Sequence, residues 1–217
     1  MTESTKPETR DALIAAGLDL FGRRGFDAVS VRDLARTAGA NIAAVSYHFG
    51  GKEGLRRACA EAVVTQFTAA LGGAELPDRP LPDFMAQNLL EELLSGAVRA
   101  LITGPGAAPA VAFLLREVLP NPDLTDILYR GLFLKIHGRL CALWSMATGA
   151  EADSPATRLR MFSLIGQIAY FRIGQPVILR RMDWTAIDED QAEAIRRALT
   201  QNLRAMIAAE RAERGLT

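Results

Sequence analysis

Cysteine is scarce in this chain of 217 residues: only Cys59 and Cys141 occur, far apart. Two such residues give no disulfide framework, and a reducing cytoplasm is the simpler expectation. Long hydrophobic runs are also missing. The longest uncharged stretch, Ala100 to Leu115, is interrupted by Gly104-Pro105-Gly106 and Pro109. It falls short of the roughly 20 apolar residues a membrane span needs. Met1 to Arg10 is polar and charged, so no secretory signal is expected. Alternating β-branched runs of useful length are lacking, which predicts an all-α class. The chain holds no Gly-rich phosphate loop, metal motif or carboxylate pair. Ser46 and His48 stand two apart on a predicted helix and point away from each other. No enzyme activity and no cofactor are therefore expected. Charge of either sign is not in excess, with 25 basic and 25 acidic residues. That balance disfavours a protein that coats nucleic acid without sequence preference.

What is present is concentrated in residues 30 to 55, SVRDLARTAGANIAAVSYHFGGKEGL. Ser30-Val31-Arg32-Asp33 has capping-box spacing and predicts a helix starting at Val31. Leu34 and Ala35 give that helix an apolar side, and Gly39 ends it. Asn41 is placed to cap a second helix from Ile42 to about His48. Two short helices joined by a Gly-containing turn make the helix-turn-helix plan, whose second helix enters the major groove of DNA. That helix begins with the small apolar Ile42, Ala43 and Ala44, then turns to hydrogen-bonding Ser46, Tyr47 and His48. Ahead of it, Leu13, Ala16, Leu20 and Phe21 recur at helical spacing between about Glu8 and Arg24. Gly25 ends this first helix, and Phe26 and Val29 can close over the same small core. Leu34, Val45 and Phe49 are core positions by the same pattern.

Charge is local where it matters. Between residues 20 and 57 stand Arg23, Arg24, Arg32, Arg36, Lys52, Arg56 and Arg57, against only Asp27, Asp33 and Glu53. A neutral chain with a positive stretch on its helix-turn-helix fits binding through phosphate contacts.

The pattern AAGLDLFGRRGFDAVSVRDLARTAG…SYHFGGKEGL, roughly residues 10 to 56, resembles the DNA-binding domain of the TetR family of bacterial transcription regulators. GANIAAVSYHFGGKEGL resembles the CecR-like branch of that family. So do the looser later segments LLREVLPNP (114 to 122) and LIGQIAYFRIGQPVILRRMDW (164 to 184). The resemblance implies a DNA-binding domain over 1–54 and a helical ligand-binding and dimerisation domain over 55–217. It implies that Tyr47 and His48 meet the backbone or groove wall, and that Lys52 binds phosphate, where a helix N-terminus also favours an anion. Arg32 matches a position that reaches a base or phosphate. Many members carry an aromatic residue where this chain has Ser46, so that contact is altered here. Ala43 and Ala44 either meet thymine methyls or serve as close-packing positions.

Beyond the motif the chain reads as helix after helix. Gly51 caps a fourth, with Leu55, Cys59, Ala62, Val63 and Phe67 on one face until Gly72-Gly73. Residues 72 to 82 form a turn-rich connector. Helices follow over about 82–102, 109–119, 123–147, 155–180 and 188–212, punctuated by Gly and Pro. Met161 to Leu179 is apolar nearly all round and must be covered on every side. The final helix carries a second stripe: Ile195, Leu199, Leu203, Met206 and Ile207. Together they predict a homodimer joined through the last two helices, and hence a near-palindromic operator. The expected function is a regulator, a repressor in the first instance, released from DNA by a small molecule. Phe133, His137, Trp144, Gln167 and Tyr170, polar or aromatic amid apolar helices, are candidate pocket residues. A metal-responsive alternative rests on His137 and Cys141, four apart on one helix, which are two ligands where a closed site needs more. Activation of transcription by the same fold is the other alternative.

Overall fold

The computed structural model describes residues 6–71 and 80–216. Most of the expected connector at 72 to 82 lies outside the described residues. Among those described, every regular element is helical, as the absence of strand signals predicts. Eleven α-helices run in order: α1 (Lys6–Arg24), α2 (Val31–Thr37), α3 (Ala43–Phe49), α4 (Lys52–Ala70), α5 (Asp83–Val98), α6 (Ala107–Phe113), α7 (Pro122–Leu128), α8 (Leu134–Thr148), α9 (Pro155–Ile173), α10 (Gln175–Met182) and α11 (Glu189–Glu213).

Three of the expected long helices are built differently from their outline. Arg99–Thr103, Leu114–Val118 and Tyr129–Phe133 are π-helical turns that extend α5, extend α6 and join α7 to α8. A widened turn of five residues keeps the apolar spacing nearly helical, so periodicity in the sequence registers only a continuous helix. The expected helix over 155–180 is two helices, broken at Gly174. Pro176 explains the break, because it lacks an N–H and its ring would collide with the carbonyl four residues back.

Caps follow the sequence signals. Asn121 Oδ1 accepts from the N–H groups of Asp123 and Leu124 at 3.0 and 3.2 Å, with Pro122 in the first turn of α7. Asp188 and Gln191 form a reciprocal capping box at the start of α11.

By packing, the chain forms two compact units. The first comprises residues 1–67 and 106–132, the second residues 68–105 and 133–217. This division differs from the boundary expected after residue 54, since α6 and α7 belong with the N-terminal helices. The core of the first unit holds Leu13, Phe21, Val29, Leu34, Val45, Leu55, Val63 and Phe113, all essentially sealed from solvent. Gly22 sets how closely α1 lies on α6: a Cβ there would meet the Phe113 backbone nitrogen at 2.9 Å. The second unit gathers Leu90, Leu94, Leu143, Trp144, Met161, Leu164, Leu199 and Leu203 from α5, α8, α9 and α11.

That second core consumes the apolar stripe of the last helix. Ile195, Leu199, Leu203 and Ile207 are buried within the chain itself. One exposed side of α11 carries Ala198, Gln201, Asn202, Ala205, Ala208 and Ala209, while Glu193, Arg197 and Arg204 are exposed elsewhere on it. On α9 and α10 the outward side is apolar, carrying Leu159, Phe162, Tyr170, Ile173 and Val177. Gln167 joins α9 to α11, its Oε1 accepting from Asn202 Nδ2 at 3.0 Å.

Candidate nucleic-acid interface

Local chemistry builds the reading head from its turns. Ser30 Oγ accepts from the Asp33 N–H at 3.1 Å, and Asp33 Oδ2 accepts from the Ser30 N–H at 3.3 Å. This is the reciprocal box that the spacing predicts. The Ser30 hydroxyl and N–H hold the Asp33 carboxyl below the usual carboxylate range, with Arg36 adding to the effect at 2.5 Å. At the other end of α2, the Ala40 N–H reaches back to the Ala35 carbonyl at 2.9 Å, and Gly39 takes φ +62°. A left-handed residue closing a helix in this way favours glycine.

Asn41 then opens α3, its side-chain oxygen accepting from the Ala43 N–H at 2.9 Å. Val45 is the one fully buried side chain of α3 and anchors it. The opposite face is turned to solvent: Ile42, Ala43, Ser46 and Tyr47 are exposed, while Ala44 and His48 are half-buried. Tyr47 is 67% exposed, with its ring edge-on to His48 at 5.0 Å. Most of that aromatic surface faces solvent.

The step from α3 to α4 is very tight. A Cβ on Gly54 would lie 1.8 Å from the Phe49 carbonyl oxygen, so no other residue fits without moving one helix end. This closeness places Lys52, first residue of the 19-residue α4, beside the end of α3. Its ammonium sits 4.1 Å from the centre of the Phe26 ring, which the Arg56 guanidinium also approaches at 4.6 Å. Arg32 is exposed on α2. Of the expected contact residues, Arg32 lies on α2, Asn41 in the turn before α3, Ala43, Ala44, Ser46, Tyr47 and His48 on α3, and Lys52 at the start of α4.

Two residues of this region escaped the sequence reading. Glu117, only 5% exposed, accepts from the Phe26 N–H at 2.9 Å and pairs with Arg56 Nε at 3.0 Å. Its neighbour Arg116 donates from Nη1 to the Arg23 carbonyl at 2.6 Å. In sequence an Arg-Glu pair within a helical run looks like a solvated face, and nothing local marks a partner 91 positions away.

The candidate pocket residues do not converge on one place. Phe133 and His137 meet through Phe162, with ring centroids 6.3 and 4.2 Å away. His137 Nε2 lies 3.1 Å from the Arg158 carbonyl. Trp144 is sealed in the core of the second unit under Arg160, Gln167 faces α11, and Tyr170 is on the exposed side of α9. His137 Nδ1 is 3.6 Å from Cys141 Sγ, but among the described residues no three His, Cys, Asp or Glu side chains gather as a metal site would require. Burial raises the Cys141 thiol above its ordinary value, which works against a thiolate ligand. No single helix among the described residues is long and apolar enough to cross a membrane.

Comparison with known proteins agrees with this geometry. Residues 13–59 match the family model for bacterial regulatory proteins of the tetR family. Residues 86–210 match the C-terminal domain of the HTH-type transcriptional dual regulator CecR. The CecR protein of Shigella flexneri is 35% identical over 201 residues, covering 89% of this chain and 88% of that protein. Among solved structures, the TetR family regulator PfmR from Thermus thermophilus superposes with a TM-score of 0.65 at 19% identity, covering 93% of this chain and 96% of that one. AibR, solved in complex with isovaleryl coenzyme A and operator DNA, superposes with a TM-score of 0.66 at 15% identity over 88% and 96% of the two chains.

Proposed function

Because the chain belongs to the TetR family of bacterial regulators, with a C-terminal domain of the CecR type, we propose that it binds an inverted-repeat operator as a homodimer and leaves it when a small molecule binds. That it is a DNA-binding transcription regulator follows from the family itself. The observation that supports the finer reading is the outward face of α3, with Ser46 and Tyr47 in solvent and Lys52 opening α4 three residues after α3 ends.

On DNA, α3 enters the major groove. Ala43 presents its methyl to a base edge, Ala44 lets the helix sit close, and Ser46 takes the place of an aromatic contact found in many relatives. Tyr47, His48, Arg32 and Lys52 hold the flanking phosphates, and Asn41 keeps the N-terminus of α3 in place. Phosphate contacts fix the register, while base-edge contacts carry the sequence preference.

The dimer forms through α9, with its extension α10, and α11. Leu159, Phe162, Gly166, Tyr170, Ile173 and Val177 recur every three or four residues along one outward line. Small residues on α11 let a partner helix approach closely. A stable interface needs about 800 Å² per partner. Two-fold symmetry then spaces two α3 helices by about 34–36 Å or a multiple of it.

Release works by population shift. A ligand that prefers a dimer with mis-spaced reading heads lowers the fraction that fits the operator. Phe133, His137, Trp144, Gln167 and Tyr170 stay as starting points for mapping its site by substitution. AibR, solved with isovaleryl coenzyme A and operator DNA together, supports a small-molecule effector as such and not the direction of its effect. Repression is the first reading; the dual-regulator name of the Shigella flexneri relative favours activation at some promoters as a second.

Selection of bound DNA from a random pool tests the proposal. Enrichment of an inverted repeat, followed by loss of binding with one class of small molecule, is the expected result. A pool that stays unstructured, with equal affinity for scrambled duplexes, overturns it.

A further inference from the structure

Glu117 carries a charge that burial makes costly. Two opposed interactions hold it, one for each carboxylate oxygen: Oε1 accepts the Phe26 N–H at 2.9 Å and Oε2 meets Arg56 Nε at 3.0 Å. A buried carboxylate persists only where such partners compensate its lost hydration. Both partners belong to the reading head. Phe26 lies in the turn between α1 and α2, directly after Gly25, and Arg56 lies one turn beyond Lys52 on α4.

Arg116, the preceding residue, holds the same turn from its other side. Its guanidinium donates to the Arg23 carbonyl, one of the last of α1, at 2.6 Å. Between these two ties sits Gly25, where an added Cβ would find Arg116 Nε at 3.6 Å and Glu117 Oε1 at 3.7 Å. One turn of chain upstream, Gly22 brings the α1 backbone against α6, and the Phe21 and Phe113 rings lie 6.4 Å apart. Every one of these contacts reaches the head from α6 or from the π-helical turn Leu114–Val118. None of them touches the outward face of α3.

We infer that Arg116 and Glu117 are positioning residues for DNA reading, a two-pronged clamp by which the π-helical turn after α6 fixes the α1–α2 turn and the start of α4 relative to one another. The inference rests on the DNA-binding reading given above. Clamping acts on both supports of α3 at once. The α1–α2 turn leads straight into α2 of the helix-turn-helix, and α4 carries Lys52. A π turn is a local irregularity that can relax to α-helical register by a one-residue shift. Such a shift would carry both prongs away together, so the turn is suited to pass a change in α6 to the head.

The experiment compares Glu117→Gln, Glu117→Ala and Arg116→Ala with the unaltered full-length protein. Affinity is measured for the selected operator and for a scrambled duplex, and hydrogen exchange is followed at the Phe26 to Ala28 amides. Glu117→Gln keeps an acceptor for the Phe26 N–H but loses the charge facing Arg56. Arg116 is exposed, so its replacement leaves the core intact should Glu117→Ala fold poorly. The clamp predicts that Glu117→Ala and Arg116→Ala lower the ratio of operator to scrambled affinity at least ~10-fold, a loss of about 1.4 kcal/mol in discrimination. The exchange at the α1–α2 turn should quicken while α9 and α11 stay protected. Glu117→Gln should retain slow exchange at Phe26 yet lose part of the ratio through Arg56. Unchanged operator preference in all three variants, with the unaltered protein discriminating normally, overturns the clamp. Failure of the unaltered protein to discriminate instead sinks the DNA-binding mode proposed above, and quickened exchange at Phe26 in Glu117→Ala would still be required of the clamp.

Discussion

Single side chains at the reading head divide into those that face DNA and those that hold the head in shape. We propose Lys52 for the first group; it stands at the N-terminus of a long helix, with its ammonium over the Phe26 ring. Replacing it with alanine should weaken binding to every sequence alike. The slope of log affinity against log salt should fall by about 0.9, the value of one phosphate contact; fluorescence anisotropy over a salt series measures this. Gly54 belongs to the second group. Gly54→Ala should cost about 1–3 kcal/mol of stability, as overpacking at a rigid contact does, and should abolish operator binding. Urea denaturation and a binding assay read the two effects. Cys59 is another case of environment deciding chemistry: burial pushes its thiol up to about 12, and it lies 3.6 Å from the Ile14 carbonyl. Iodoacetamide at about pH 8 should therefore label Cys59 only after unfolding. Mass spectrometry of the native protein finding that residue alkylated at the rate of a free thiol would contradict this.

At the scale of elements, capping explains why the short helices α2 and α3 exist at all. Helices of seven residues are marginal by themselves, and each here is held by a side chain reading back onto its first turn. Ser30→Ala should cost about 1 kcal/mol, measured by urea denaturation. The pH behaviour follows from the carboxylates that such contacts use. Glu91 is held low chiefly by its hydrogen bond from Arg204, and Asp83 by its bond from Arg211, tying α5 to α11. A carboxylate whose folded value is depressed stabilises the fold above its unfolded value, about 4. That contribution is lost as pH falls through the folded value. The melting temperature should hold steady between about pH 8 and 5 and drop below about 4, and Glu91→Gln should shrink the drop. The start signals of α2 and α3 were legible in the sequence because capping is local chemistry. The π-helical turns were not, since an inserted residue leaves the apolar rhythm almost intact. The break at Gly174 was signalled by Pro176 but overridden by the apolar run around it.

For the whole molecule, the open question at sequence level was which apolar stripes need a second copy. Ile195, Leu199 and Leu203 are buried inside the single chain, whereas Leu159, Phe162 and Tyr170 are exposed on it. Sequence pattern alone cannot separate these cases, because both stripes have helical spacing and similar composition. The helix-turn-helix was legible through its motif, but the buried Glu117 was not. Its role depends on a fold contact between distant segments. Leu159→Glu with Phe162→Glu should split the proposed dimer. Withholding about 1.5–3 kcal/mol of burial per large side chain weakens association by roughly 10–150-fold for each. Sedimentation velocity across a concentration series measures the shift, and an unchanged dimer would place the interface elsewhere.

The packing of residues 106–132 with the N-terminal helices bears on how such regulators can be recombined. A chimera that grafts only the helices up to α4 onto a foreign sensor leaves behind the partners of Phe26, Arg23 and Gly22. A transplant that carries α6 and α7 along should keep the head's support intact, so the cutting points that follow the packing are discontinuous in the chain.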